Sequence, residues 1–202
     1  MKRAALLAAA LALGGCFGGG GPAPVEHFYR LPPPAPAAPR ARPLLTGVLV
    51  VETPRAAGLL RSRPLVYVDA ARPLELRQYR YHLWSEPPAL LLGRHLRAAL
   101  AARGIAPEVR PAGPGALRVS GRLLALHRLQ GASPPRAVLE LELWAGRGGR
   151  ELLRRRYRET AAARGKGIHA TVAAMGRAAD AVWARFIGDL EQALMEEEKR
   201  GR

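Results

Sequence analysis

One cysteine carries the most specific chemical signal in this sequence. Cys16 is the only cysteine, and it ends the run Leu13-Gly14-Gly15-Cys16 behind a short apolar segment, which matches the pattern of a bacterial lipobox. At such a site the thiol takes a diacylglycerol and the amine freed by cleavage takes a further acyl chain. Two or more apolar chains make membrane attachment stable. The sequence therefore predicts that Cys16 is the lipid-attachment residue.

The residues before this cysteine have the three parts of an export signal. Residues 2–3 are basic, residues 4–13 are apolar and small residues precede the cleavage point. A helix of about ten residues covers about 15 Å of a hydrocarbon core about 30 Å thick. Residues 1–15 are therefore predicted to be a lipoprotein signal peptide. Phe17 replaces the aspartate that retains many enteric lipoproteins in the inner membrane, which favours an outer-membrane anchor facing the periplasm.

Metal and cofactor chemistry find no support in the residue pattern. With one cysteine, the chain can form neither an internal disulfide nor a thiolate metal site. The histidines have no pair at ligand spacing, and we interpret them as ordinary surface or core residues; they are His27, His82, His95, His127 and His169. We expect no metal and no cofactor beyond the covalent diacylglycerol and acyl chain on Cys16.

Catalytic motifs are absent in recognisable form, because the sequence contains neither Gly-x-Ser-x-Gly nor His-Glu-x-x-His. The only local nucleophile and base are Ser120 or Ser133 with His127. Strand alternation predicts that Ser120 and His127 point to opposite faces of a sheet. The sequence therefore predicts a protein that is not an enzyme, with a lipid-anchored hydrolase as a remote alternative.

The charge balance is strongly basic. Lys and Arg number 32 against 16 Asp and Glu, which gives a net charge of +16 and a pI of about 11.4. Such a balance would suit nucleic acid, but export removes that partner. The dominance of Arg, Ala, Gly and Pro is typical of a GC-rich coding sequence. The functional alternative is attraction to anionic phospholipid headgroups or to an acidic partner.

Composition divides the chain into a tether, one domain and a tail. Residues 16–43 are rich in Gly, Pro and Ala and cannot bury enough apolar surface to fold alone. A short edge strand is an option at residues 28–31. If it forms, the free leash is about 11 residues long and spans at most ~35 to 40 Å. Residues 44–195 form the predicted domain, and residues 196–202 form a charged tail.

Periodicity predicts the elements of this domain. β-Branched or alternating segments predict strands at 44–51, 65–68, 74–79, 106–110, 117–123 and 139–143. A first helix follows Pro87-Pro88 and ends before Gly104. A second runs from about Ile168 to Met195, with one apolar stripe. We therefore predict an α+β single domain with a mainly antiparallel sheet packed by two long helices.

The last predicted hairpin carries opposite charges on its two strands. The turn at residues 146–149 is expected to place Glu142 beside Arg154. It places Glu140 beside Arg156 in the same way. Cross-strand pairs of this kind contribute about 0.2 to 1 kcal/mol each. This charge pattern therefore needs no ligand to explain it.

Several short blocks together resemble a known family. They are the lipobox, Tyr29-Arg30-Leu31, Val66-Tyr67, Tyr79, the block His82-Leu83-Trp84-Ser85-Glu86-Pro87-Pro88 and Leu91-Leu92. In this order they are similar to the ABC-type transport auxiliary lipoproteins. The resemblance covers nearly all of the chain, and the Trp-Ser-Glu-Pro-Pro block is its most specific part.

The resemblance implies a binding role in lipid transport. It implies an outer-membrane-anchored periplasmic partner of systems built on mammalian-cell-entry (MCE) proteins, which work with an ABC permease and ATPase, in some members as a ring of copies. The family-like block gives the candidate partner interface, which comprises Tyr81, Trp84, Pro87 and Pro88. An aromatic residue before a helix is also a common core plug. The alternative within the binding class is an outer-membrane assembly lipoprotein of the lipopolysaccharide-assembly or secretin-pilot type, whose partner is a β-barrel.

Overall fold

The computed structural model describes residues 24–200, so the predicted signal peptide and Cys16 lie outside the described residues. The described part is an α+β domain with nine strands, two α-helices and a short 3-10 helix at Gly58–Arg61. The strands are β1 (His27–Tyr29), β2 (Leu49–Val51), β3 (Arg55–Ala56), β4 (Pro64–Asp69), β5 (Arg72–Trp84), β6 (Val109–Arg110), β7 (Leu117–Gln130), β8 (Arg136–Arg147) and β9 (Arg150–Ala162). The helices are α1 (Pro88–Arg103) and α2 (Ile168–Arg200).

The sheet is mixed, which corrects the prediction of a mainly antiparallel sheet. Strand β7 pairs in parallel with β2, β3 and β4, and two further parallel pairs join β1 to β5 and β2 to β6. Antiparallel pairs join β4 to β5, β7 to β8 and β8 to β9. Apolar periodicity is the same in both directions, so it could not reveal that the connection through α1 returns β7 parallel to β4.

The predicted last hairpin forms, but its register differs from the prediction by two residues. Glu142 lies opposite Arg156 instead of Arg154. A two-residue turn at 148–149 and a bulge between residues 145 and 146 set the observed register. A slip of two residues keeps every side chain on its face. Carboxylates therefore still face arginines across the two strands.

The long helix α2 covers one face of β8 and β9. Its predicted apolar stripe is half-buried at Ile168 and buried at Val172, Met175, Ala179, Val182, Phe186 and Leu190. The helix has 33 residues and runs to Arg200, beyond the predicted end at Met195. Helix α1 has only 16 residues and ends at Gly104, whose φ of 72° suits glycine. The prediction of two long helices is therefore correct for one of them.

The segment after β1 lies against both helices. Strand β1 pairs with β5 at the edge of the sheet, close to the predicted position at 28–31. The Arg40 N–H donates to the Arg103 carbonyl at 2.9 Å, and the Leu44 N–H donates to the Ile105 carbonyl at 3.0 Å. These bonds hold the chain before β2 against the end of α1, and the predicted strand at 44–51 is reduced to β2.

One carboxylate joins this segment to both helices. Glu191 of α2 accepts hydrogen bonds from Arg103 Nε at 2.7 Å and from Arg103 NH2 at 3.2 Å. Arg40 NH1 lies 3.4 Å from the same carboxylate. The hydrogen bond from Arg103 is the main cause that lowers the pKa of Glu191, with a further contribution from the charge of Arg40.

We expect Glu191→Gln to lower the free energy of unfolding by about 1 kcal/mol at pH 7, because the bidentate ion pair is lost at a partly exposed site. A carboxyl with a lowered folded-state pKa stabilises the protein above its unfolded pKa, and this contribution is lost as the pH falls through the folded value. Urea unfolding should therefore show a smaller difference from wild type at pH 3 than at pH 7. Glu196→Gln, on an exposed part of α2, is the control; an equal effect would contradict the prediction.

Candidate binding cleft

The four residues of the predicted partner interface differ in how far they are exposed. Trp84 is 2% exposed and Pro88 is buried, whereas Tyr81 and Pro87 are half-buried. The Trp84 carbonyl accepts a hydrogen bond from Arg63 Nε at 3.0 Å. Trp84 and Pro88 therefore help to fix the start of α1 against the core, and Tyr81 and Pro87 keep some surface for contact.

Ser120 and His127 lie on the same face of the sheet, which corrects the prediction that they point to opposite faces. A bulge between residues 123 and 125 of β7 changes the alternation, so both side chains lie on the same face. Ser120 pairs with Trp144 and His127 with Val138, which puts them six residue steps apart along β8, or about 20 Å. Ser120 Oγ donates to Glu52 Oε2 at 2.7 Å. The two side chains are therefore too far apart to act as nucleophile and base.

Residues 24–200 contain neither a candidate metal cluster nor a helix that could span a membrane. No group of three or more His, Cys, Asp or Glu side chains in this range could hold a metal ion. None of the helices in the described range combines the length and apolar character needed to cross a bilayer.

A cleft of about 670 Å³ lies between the segment after β1 and the two helices. We call it the proline cleft, because residues 32–34, the proline wall, form one side of it. Its other lining residues are Arg30, Leu31, Leu91, Arg94, His95, Ala98, His169, Val172 and Ala173. The lining is mainly apolar and includes no carboxylate.

A glycine in α2 lets the proline wall approach the helix. A Cβ on Gly176 would lie 2.7 Å from Pro32 Cδ and closer still to Pro32 Cγ, distances that side chains do not tolerate. The Ala35 N–H then donates to Asp180 Oδ1 at 3.0 Å, one helical turn further along α2. The wall therefore depends on the missing side chain at one helix position.

A buried histidine joins the wall to both helices. His95 Nε2 lies 3.0 Å from the Pro32 carbonyl oxygen, and Trp183 Nε1 donates to His95 Nδ1 at 2.7 Å. Because the indole N–H can only donate, Nδ1 is the acceptor and Nε2 carries the proton that it donates to Pro32. Burial lowers the pKa of His95, opposed by the charge of Asp180, whose Oδ1 lies 4.0 Å from Nε2. The ring is therefore held neutral, in one tautomer.

Two arginines give the cleft a positive rim. Arg94 is held by Glu86, since its NH1 donates to Glu86 Oε1 at 2.9 Å. Arg30 is exposed and has no carboxylate within ion-pair distance among residues 24–200. His169 is exposed at the start of α2. The cleft thus combines an apolar floor with cationic side chains at its edge.

Comparison with solved structures defines the class of this fold. The chain is similar to the crystal structure of a DUF330 protein from Xanthomonas campestris, with a TM-score of 0.75 and 19% sequence identity, over 86% of this chain and 99% of that one. It is also similar to the crystal structure of an uncharacterised protein, with a TM-score of 0.68 and 16% identity, over 83% and 99%. At these identities the likeness establishes the fold alone.

The family follows from the sequence match. Residues 29–186 match the model of the ABC-type transport auxiliary lipoprotein component, and the chain belongs to that family. It is therefore an auxiliary lipoprotein of an ABC-type transport system, anchored to a membrane of the cell envelope. No curated protein matched the chain. The match begins at Tyr29 in β1 and includes the proline wall, so the wall is part of the region that the family model covers.

Sequence reasoning identified the family but not the cleft. His95 was interpreted as an ordinary histidine, and its two partners lie 63 and 88 residues away in the chain. One local signal was present, because Gly176 lies within the buried face of α2. A glycine inside a helix often has a packing reason, such as the close approach of another segment.

Proposed function

We propose that this chain is an outer-membrane-anchored periplasmic lipoprotein that acts as a non-catalytic binding component of an MCE-type intermembrane lipid transport system. The observation that carries the proposal is the family match over residues 29–186. It is supported by the outer-membrane pattern at Cys16 and Phe17, and by an apolar cleft with cationic side chains at its edge. The partner is an MCE-domain protein, and through it an ABC permease and ATPase.

Tyr81 and Pro87 give the most accessible part of the candidate interface. Tyr81 lies in β5 with the Arg80 guanidinium 5.4 Å from its ring centroid. A cation beside an aromatic ring is a common element of protein interfaces.

A photo-crosslinking amino acid at Tyr81 tests this proposal in intact envelopes. We expect it to capture an MCE-domain protein. The matched control carries the same amino acid at Arg150, the first residue of β9, which lies at the opposite end of β7 from β4, and should capture far less. Recovery of only a β-barrel protein would overturn the proposal in favour of an outer-membrane assembly lipoprotein.

A further inference from the structure

The proline cleft has the size and lining of a ligand site. Its volume of about 670 Å³ lies within the range of about 300 to 1,000 Å³ that is typical of small-molecule sites. Leu91 and Val172 are buried at its floor, and Leu31 is half-buried. His95 uses both ring nitrogens in the fold, so the floor offers a ligand apolar contact and no free polar atom from this ring.

The charged side chains of the cleft indicate the sign of the charge that a ligand should carry. Arg30 and Arg94 line it, and no Asp or Glu does. Arg94 is partly neutralised by Glu86, which leaves Arg30 as the cation without a carboxylate partner in the described range. Such a cation beside an apolar cleft favours a ligand with an anionic group next to a long apolar chain.

The position of the cleft in the chain indicates the source of this ligand. Arg30 follows Cys16 by 14 residues, which span at most ~50 Å when fully extended. Acylation of Cys16 would therefore keep the cleft within ~50 Å of the membrane surface. The periplasmic leaflet that would hold this anchor is made of phospholipids, some of which have anionic headgroups.

We propose that the proline cleft binds one acyl chain of an anionic phospholipid, with the chain between the proline wall and the two helices and the headgroup phosphate at Arg30. This inference deepens the proposed function and rests on it, because it names the lipid that the binding component takes up. The proline wall closes one side of the site. The apolar chain leaves water on binding, and Arg30 pairs with the phosphate.

Photolabelling from a vesicle tests the site in the full-length acylated protein. The protein is reconstituted into phosphatidylcholine vesicles that contain a few per cent phosphatidylglycerol with a diazirine on its acyl chain. After irradiation, we expect adducts to concentrate in four tryptic peptides that line the cleft, residues 31–40, 81–94, 98–103 and 167–177. The same probe with a phosphatidylcholine headgroup should label these peptides at least tenfold less.

Two pairs of variants separate the site from general membrane proximity. Ala98→Leu fills the cleft from an exposed position of α1, and Ala101→Leu adds the same side chain to an exposed position outside it. Arg30→Glu reverses the charge at the rim, and Arg42→Glu does so at an exposed site away from the cleft. We expect Ala98→Leu and Arg30→Glu to reduce cleft labelling at least tenfold, and the two controls to leave it unchanged. Because Arg30→Glu removes the trypsin site before residue 31, its labelling is compared on the peptides of the two helices.

Four results would overturn this inference: adducts spread evenly over the surface, equal labelling by both headgroups, undiminished labelling of Ala98→Leu, or undiminished labelling of Arg30→Glu. None of them bears on the crosslink from Tyr81 to a protein partner, which is measured without a lipid probe. Loss of that crosslink with intact cleft labelling would instead reject the MCE partnership and keep the lipid site.

Discussion

Replacing His95 with leucine is expected to lower the free energy of unfolding by about 2 kcal/mol or more at pH 7. Leucine has a similar volume but no hydrogen-bonding atom. The variant would leave the Trp183 indole N–H and the Pro32 carbonyl without their partner. Trp183 is 1% exposed, and an unsatisfied buried polar group costs about 1–3 kcal/mol. Urea unfolding followed by tryptophan fluorescence measures the loss.

The same substitution should change how stability depends on pH. Because the folded state keeps the pKa of His95 below its ordinary value, the unfolded chain takes up a proton first as the pH falls. The stability that neutral His95 contributes is therefore present above an unfolded pKa of about 6.5 and is lost on acidification below it. We expect the gap between wild type and His95→Leu to be largest at pH 7 to 8 and to narrow by pH 5.

The control for this prediction removes an exposed histidine. His169→Leu changes the same residue type at the rim of the cleft, where no buried indole depends on it. We expect its stability to follow wild type across the same pH range. A constant gap between wild type and His95→Leu from pH 8 to pH 5 would contradict the assignment of a neutral, doubly hydrogen-bonded ring.

A single added carbon at Gly176 is expected to destabilise the protein even though alanine favours helices. The new Cβ would overlap the Pro32 ring, with Cδ at 2.7 Å, and overpacking of this kind costs about 1–3 kcal/mol. Alanine recovers up to ~1 kcal/mol of helix propensity. We therefore expect Gly176→Ala to lower the free energy of unfolding by up to about 2 kcal/mol and to release the proline wall.

Gly188 supplies the matched control on the same helix. A Cβ there would meet no atom within 4 Å, so Gly188→Ala should raise the free energy of unfolding by up to ~1 kcal/mol. Hydrogen exchange at the Ala35 amide, which donates to Asp180, reports whether the wall is released. It should speed up in Gly176→Ala only. Stability shifts of the same sign in both variants would contradict a wall packed on Gly176.

Local sequence patterns predicted those parts of the fold whose structure depends on neighbouring residues in the chain. The buried stripe of α2, from Val172 to Leu190, follows directly from the helical period. Strands β4 and β5, which pair as a hairpin, were predicted from the apolar runs at residues 65–68 and 74–79. In both cases the spacing of apolar residues within about 30 consecutive positions is sufficient, because burial of one face requires that spacing.

The wrong or missing parts depend on contacts between distant residues. Alternation cannot distinguish a register from one shifted by two residues, so the bulge beside Gly146 was not predictable from polarity. The proline wall has a composition that does not fold alone. It is ordered by Gly176 and His95, which lie far along the chain. The candidate cleft therefore appears only when three separate segments are brought together.

The mass of the N-terminal peptide of the mature protein tests the central claim of a lipid-anchored binding component most directly. Trypsin should release residues 16–30 from protein purified out of envelopes. The account predicts a peptide that begins at Cys16 and carries a diacylglycerol on the thiol and an acyl chain on the amine. A peptide that extends upstream of Cys16, or one that begins there with a free thiol, would contradict it.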